Sequence, residues 1–155
     1  MYKIKEYQLF KDEDNHPYLN VRNEFDYEVN KFNTSADIAR LLVELYSINE
    51  LFIEYSYAVA FNCSDEILGI IELGHESDIQ TPTPIKILFM SLLLMGANKF
   101  VLVHNHPNNI MEPSKADINL GSKVKLGTEL LELTFVDQII IGEEDFCSMS
   151  AEGYM

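Results

Sequence analysis

Residues 100–117 read Phe100-Val101-Leu102-Val103-His104-Asn105-His106-Pro107, then Asn108-Asn109-Ile110-Met111-Glu112-Pro113, then Ser114-Lys115-Ala116-Asp117. The unbroken apolar run Phe100 to Val103 suits a strand covered on both faces, and so predicts a strand at the centre of a sheet. Pro107 to Pro113 predicts a loop. Ser114 to Leu126 predicts a helix opened by a short oxygen-bearing side chain, which can accept one of the free N–H groups of the first turn. A strand followed by a loop and a helix is the building unit of an α/β layer structure.

Alternate residues of a strand point to the same side. His104 and His106, at the strand's end, therefore aim two imidazoles toward one point, and the loop brings Asp117 back over them from the first helical turn. Two neutral imidazoles and a carboxylate form a suitable zinc set, and three protein ligands leave the fourth position open, as in catalytic rather than structural sites. A plainer reading stands beside this one. Ser114-x-x-Asp117 is also a capping-box variant that needs no metal, and a His-x-His pair occurs in loops by chance. Spacing alone leaves both open.

Working outward, Leu133 to Ile141 predicts a further strand, Gly142 to Asp145 a turn, and Phe146 to Met149 an edge strand. Upstream, residues 3–10 alternate as a strand, Asp12 to Pro17 form a turn cluster, and Tyr18 to Val21 pair back as a hairpin. The polar segment Asn23 to Asn33 carries no clear pattern. Thr34 or Ser35 predicts an N-cap, with Ile38, Leu41, Leu42 and Leu45 recurring at helical spacing to about Tyr46. Tyr55 to Phe61 and Glu66 to Leu73 predict two strands joined by a turn at Asn62 to Asp65. Thr81-Pro82-Thr83-Pro84 is a stop-and-start signal before an apolar run, through Ala97, of helix length. The expected architecture is an α/β sandwich around one mixed sheet, in a single domain over residues 1–155, with 1–33 a strand and hairpin extension and 34–155 the core.

The chain has 155 residues, 47% of them apolar, enough for one core. Its formal charge is −14, from 25 acidic against 11 basic residues. Such a chain repels phosphate backbones, so direct nucleic-acid binding is not expected. The two cysteines, Cys63 and Cys147, are far apart and read as half-buried strand residues in a reducing compartment. No apolar run is long enough to span a bilayer, and the first residues lack a signal peptide's apolar stretch, so the expected location is the cytoplasm, with no membrane contact. A nucleobase deaminase is excluded, because its His-x-Glu and Pro-Cys-x-x-Cys motifs are missing. His16 and His75 read as solvated loop histidines, with a fourth metal ligand the lesser possibility.

His-x-His, seven residues, then Ser-x-x-Asp resembles the motif of the JAMM (MPN-type) metalloproteases. The context Val103-His104-Asn105-His106-Pro107 and Pro113-Ser114-Lys115-Ala116-Asp117-Ile118-Asn119 is similar to the RadC branch of that superfamily, as are Ala97 to Val103, Val136 to Gly142 and the closing Ser148 to Tyr154. The resemblance runs from about Thr34 to the C-terminus. It implies a cytidine-deaminase-like three-layer fold and a Zn²⁺ held by His104, His106 and Asp117. It also implies a metal-activated water and an upstream glutamate as general base. On the strand read here as Ile53 to Phe61 that glutamate is Glu54, with Glu72 on the partner strand second. Ser114 would donate a hydrogen bond to the developing oxyanion.

The implied activity is a metallopeptidase or isopeptidase acting on a peptide or protein substrate. The alternatives are a non-enzymatic binding module, and an accessory role in DNA repair or mobile-element biology. Three positions depart from the pattern. Asn108-Asn109 stands where Ser-Gly is usual, Ile85-Lys86-Ile87 where Pro-Arg-Glu is usual, and Asp137-Gln138 where Asp-His is usual. Asn tolerates the left-handed backbone that Gly supplies, so the turn can survive.

Overall fold

The computed structural model describes residues 1–75 and 83–155. Half of the Thr81 to Pro84 signal therefore falls outside the described residues. The chain forms strands β1 (Tyr2–Lys11) and β2 (Pro17–Tyr27), helix α1 (Ser35–Tyr46), strands β3 (Tyr55–Phe61) and β4 (Ile67–His75), helix α2 (Ile85–Met95), strand β5 (Lys99–Asn105), helix α3 (Lys115–Leu131), and strands β6 (Thr134–Ile141) and β7 (Phe146–Ser148). The seven strands make one sheet in the order β2-β1-β4-β3-β5-β6-β7. The pairs β1–β4 and β5–β6 are parallel and the others antiparallel, so the sheet is mixed.

Period-two alternation sorts the side chains onto two cores. Tyr57, Val59 and Phe61 of β3, with Val101 and Val103 of β5, pack beneath α1 through Ile38, Leu41 and Leu42. Ala58 and Ala60, with Phe100 and Leu102, pack beneath α2 and α3 through Leu88, Leu92 and Val124. The result is three layers: α1, the sheet, then α2 with α3. The same parity places His104 and His106 on the α3 side and Asn105 on the α1 side.

Two expectations needed revision. The segment from Asn23 is not patternless: β2 continues to Tyr27 and pairs with β1 along its whole length. The register shifts opposite Glu6 and Tyr7, where Arg22 is the extra residue. A bulge of this kind changes which face each later residue takes. Leu19 thus packs with the α2 side, and Tyr27 with the α1 side, although both are odd-numbered. Helix α3 also runs past Leu126 to Leu131. Gly127 lies within the added turn, where a Cβ would lie 2.6 Å from the Phe89 ring, so its smallness lets α2 and α3 approach.

At the start of α1 the cap is Thr34, whose Oγ1 accepts from Asp37 N at 3.1 Å. Ser35 instead donates its hydroxyl to Asp137 Oδ2 at 2.5 Å. Asp137, 1% exposed, also accepts from the Ser148 hydroxyl and from the N–H groups of Gln138 and Ser150. Four donors around one carboxylate compensate its burial and tie α1, β6, β7 and the C-terminal turn together. Of the cysteines, Cys147 is half-buried in β7 but Cys63 is exposed in the β3–β4 turn, contrary to the strand placement expected for it. No helix among the described residues is long and apolar enough to cross a membrane.

Candidate metal centre

β5 ends at Asn105, and His106 takes its first step off the sheet while its N–H still bonds Ile141 O at 2.9 Å. That bond keeps His106 in line with the strand, so its ring lands beside that of His104, with 3.1 Å between the two Nε2 atoms. The loop then turns back at Asn109, whose φ of 57° is left-handed. The resemblance to the RadC branch sets an expectation of glycine here, and asparagine supplies the same left-handed backbone. Its Oδ1 accepts from Glu143 N at 3.0 Å, which fastens the loop to the β6–β7 turn. Gly142 permits that contact, because a Cβ there would lie 2.4 Å from Asn109 Oδ1.

The returning loop delivers Ser114 as N-cap of α3 and Asp117 as its third residue. Both halves of the capping box are formed: Ser114 Oγ accepts from Asp117 N at 3.1 Å, and Asp117 Oδ2 accepts from Ser114 N at 2.8 Å. The Ser114 hydroxyl donates to the same Oδ2 at 2.8 Å. Held this way, Asp117 places Oδ1 3.2 Å from His104 Nε2 and Oδ2 3.4 Å from His106 Nε2. The cap and the His-His-Asp cluster are thus one arrangement, not rival ones.

The donor set fits a tetrahedral metal. Ligand bonds of about 2.0–2.1 Å at tetrahedral angles place ligand atoms roughly 3.3–3.4 Å apart. The separations found here, 3.1 Å between the imidazoles and 3.2 and 3.4 Å from them to Asp117 Oδ1 and Oδ2 respectively, lie close to that spacing. His106 Nδ1 lies 2.6 Å from the Ile110 carbonyl, to which it donates, so in the neutral ring Nε2 is the bare nitrogen. His104 is 4% exposed and Asp117 9%. The cluster is therefore withdrawn from bulk water, as a site that concentrates charge must be.

The electrostatics agree. Burial alone would raise the Asp117 carboxyl, but its hydrogen bonds to His104, His106 and Ser114 hold it far below the usual carboxylate range. Burial alone would lower the His106 imidazolium; the hydrogen bonds to Asp117 and to the Ile110 carbonyl outweigh it and raise the pKa. The Glu54 charge adds to that rise.

Glu54 sits one residue before β3, not within it as its sequence context suggested, and it lines a cleft of about 790 Å³ together with His106, Ser114 and Asp117. Glu72 is elsewhere. It pairs with Tyr57 on the α1 face, and its carboxylate accepts from Arg22 Nη1 at 3.1 Å and meets His75 Nδ1 at 2.7 Å. His75 stacks on Tyr55, and His16 lies exposed beside Asp12 at the hairpin turn, so neither joins the cluster.

Sequence reading missed Asn105. Its side chain, on a residue 2% exposed, crosses to the chain before β3: Oδ1 accepts from Tyr55 N at 2.7 Å and Nδ2 donates to Ile53 O at 3.0 Å. These two peptides flank Glu54, so the residue between the two histidines fixes the glutamate's backbone. The signal available in sequence was an amide inside an otherwise apolar buried strand, a residue type that must find partners. On the hydrolytic zinc reading proposed below, Asn105→Ala should lower kcat more than it changes KM and should leave zinc content intact, since it displaces Glu54 and not His104, His106 or Asp117. Denaturant unfolding should show a loss of about 1–3 kcal/mol for the peptide groups left without partners. Gln138, the other departure from pattern, lies beneath α3, with Nε2 donating to Asp117 O at 3.3 Å and Oε1 buried with no partner among the described residues.

A mixed sheet between helical layers, with a His-x-His strand end facing an Asp in the next helix, defines an α/β domain of the JAB/MPN class. The chain belongs to the RadC-like JAB domain family, whose model matches residues 32–154. A UPF0758 protein of Flavobacterium johnsoniae is 28% identical over 126 residues, covering 81% of this chain and 54% of that protein. A UPF0758 protein of Carboxydothermus hydrogenoformans is 34% identical over 90 residues, 58% of this chain and 38% of the relative. One of Latilactobacillus sakei is 41% identical over 60 residues, 39% and 27% respectively. The chain thus spans about half, or less, of the length of these relatives.

Proposed function

We propose that this domain is a zinc-dependent hydrolase of the JAMM type that cleaves a peptide or isopeptide bond in a protein substrate. The observation that carries the reading is the convergence of His104 Nε2, His106 Nε2 and the Asp117 carboxylate, with nearest separations of 3.1–3.4 Å, beside a cleft that His106 and Asp117 line together with Glu54. The residues that would hold Zn²⁺ are these three. When bound, the ion supplies Lewis acidity, which brings the pKa of water toward neutrality and polarises a carbonyl.

The chain's own groups do the rest. Glu54 takes a proton from water and returns it to the leaving amine. The Ser114 hydroxyl, engaged with Asp117 at rest, rotates to donate to the developing oxyanion. Asn105 keeps Glu54 in place, and the Ile110 carbonyl keeps His106 turned toward the cluster. The cytoplasm as the site of action rests on two unbonded cysteines. The net charge of −14 argues against nucleic acid as the substrate.

A pH test follows from His106. Both imidazoles must be unprotonated to ligate a metal. Because the pKa of His106 lies above its ordinary 6.5, a proton still competes for that ring above pH 6.5. Zinc affinity should fall as pH drops through the raised value, so the zinc-induced gain in Tm should begin to shrink above pH 6.5 and go on shrinking below it. The metal-free protein has the opposite sign, since its His106 contribution is complete below pH 6.5 and is lost as pH rises through the raised pKa. Thermal unfolding at fixed zinc checks this, and a gain independent of pH contradicts it.

A further inference from the structure

The cleft holds one feature that the hydrolytic reading does not use. Lys123 lines it from α3, on the helical face it shares with Ala116, Asn119 and Leu120. It is the only lysine or arginine among the described residues lining that cleft. Of the 11 basic residues only some pair with carboxylates among the described residues, such as Lys3 with Asp26, Arg22 with Glu72 and Lys99 with Asp65, so what sets Lys123 apart is its place in the cleft. Among the described residues, Lys123 makes no ion pair or hydrogen bond. Its exposure to the cleft leaves the ammonium open to a ligand.

We infer that Lys123 is a substrate-recognition residue that binds a carboxylate of the peptide, so that the domain selects an anionic group beyond the scissile bond. The inference rests on the reading of the cluster as a hydrolytic zinc site. Lys123 is six residues beyond Asp117, about 9 Å along the helix axis at ~1.5 Å per residue. An extended peptide covers that span in two or three residues, at about 3.3–3.6 Å each. Ile85, Ile110 and Leu120 line the same cleft and suit an apolar side chain in between. Apolar walls also reduce screening, which strengthens an ammonium–carboxylate contact there. A neutral or basic group at that place would leave the ammonium without a partner, which makes the residue a discriminator as well as an anchor. The carboxylate is a chain's C-terminus or an acidic side chain, which have the same chemistry.

Three hydroxamate-headed dipeptides separate these sources on the zinc-loaded protein by calorimetry. One ends in Leu-Ala with a free carboxylate, one in Leu-Ala amide, and one in Leu-Glu amide. At least one carboxylate probe should bind about tenfold tighter than the Leu-Ala amide, the size of one charge-assisted hydrogen bond. A preference for the free acid assigns the C-terminus, and one for Leu-Glu amide the side chain. Lys123→Glu should abolish or reverse the preference, and Lys123→Arg should keep it. Equal binding of all three probes to the wild type, or a preference that survives Lys123→Glu, overturns the inference alone. Failure of every probe to bind overturns the zinc reading and the inference with it.

Discussion

Glu54→Gln should reduce hydrolysis by a factor of about 10²–10⁴, the range of a positioned general base, while zinc content stays unchanged. The substitution keeps the size of the side chain and its hydrogen-bonding capacity but removes the ability to accept a proton. Its backbone is held on both sides by Asn105, at 2.7 Å to Tyr55 N and 3.0 Å to Ile53 O, so the exchange should not shift the chain. Glu72 cannot replace it, because that carboxylate lies on the α1 face with Arg22 and His75. Steady-state kinetics on a cleaved peptide, with metal analysis of the same preparation, checks the prediction. An unchanged rate would remove Glu54 from the mechanism and favour the non-enzymatic or accessory alternatives.

Asp117→Asn should weaken zinc binding by more than the ~10–100-fold typical of losing an outer partner, because a ligand itself loses its charge. The fold should survive, since an amide oxygen can still accept from Ser114 N and maintain the cap of α3. The two effects separate cleanly: chelator competition reads the affinity, and circular dichroism reads the helix. The metal-free variant should also respond differently to acid. In the wild type the Asp117 carboxyl is held below its ordinary 3.8, so it contributes stability above pH 3.8 that is lost as pH falls through the depressed value. The Asn variant lacks that acid-sensitive part. Zinc affinity equal to that of the wild type would take Asp117 out of the ligand set.

Much of this architecture is legible in residues 99–141, where local patterns and tertiary environment agree. An apolar strand, a proline-bounded loop and a capped helix bring His104, His106 and Asp117 together by parity and by the cap. The choice between metal ligand and capping residue could not be resolved by spacing, because Asp117 caps α3 and also meets both histidines, which is compatible with either role. The hairpin was legible only as far as Val21, since the bulge at Arg22 reverses the alternation that a strand reading depends on. The helix was read as ending at Leu126, since the role of Gly127 in letting α3 approach Phe89 is a tertiary contact that no local pattern reveals. Asn105 escaped for the same reason: its partners at Ile53 and Tyr55 are 50 or more residues away.

The central claim is that the His-His-Asp triangle is a metal site. Purified metal-free protein titrated with zinc, with imidazole nitrogen resonances followed by NMR, tests it most directly. The account predicts saturation at about one zinc per chain, with the Nε2 signals of His104 and His106 displaced together, as ligation by a catalytic-type site requires. Protein that takes up no zinc, with both imidazoles unperturbed, would contradict it.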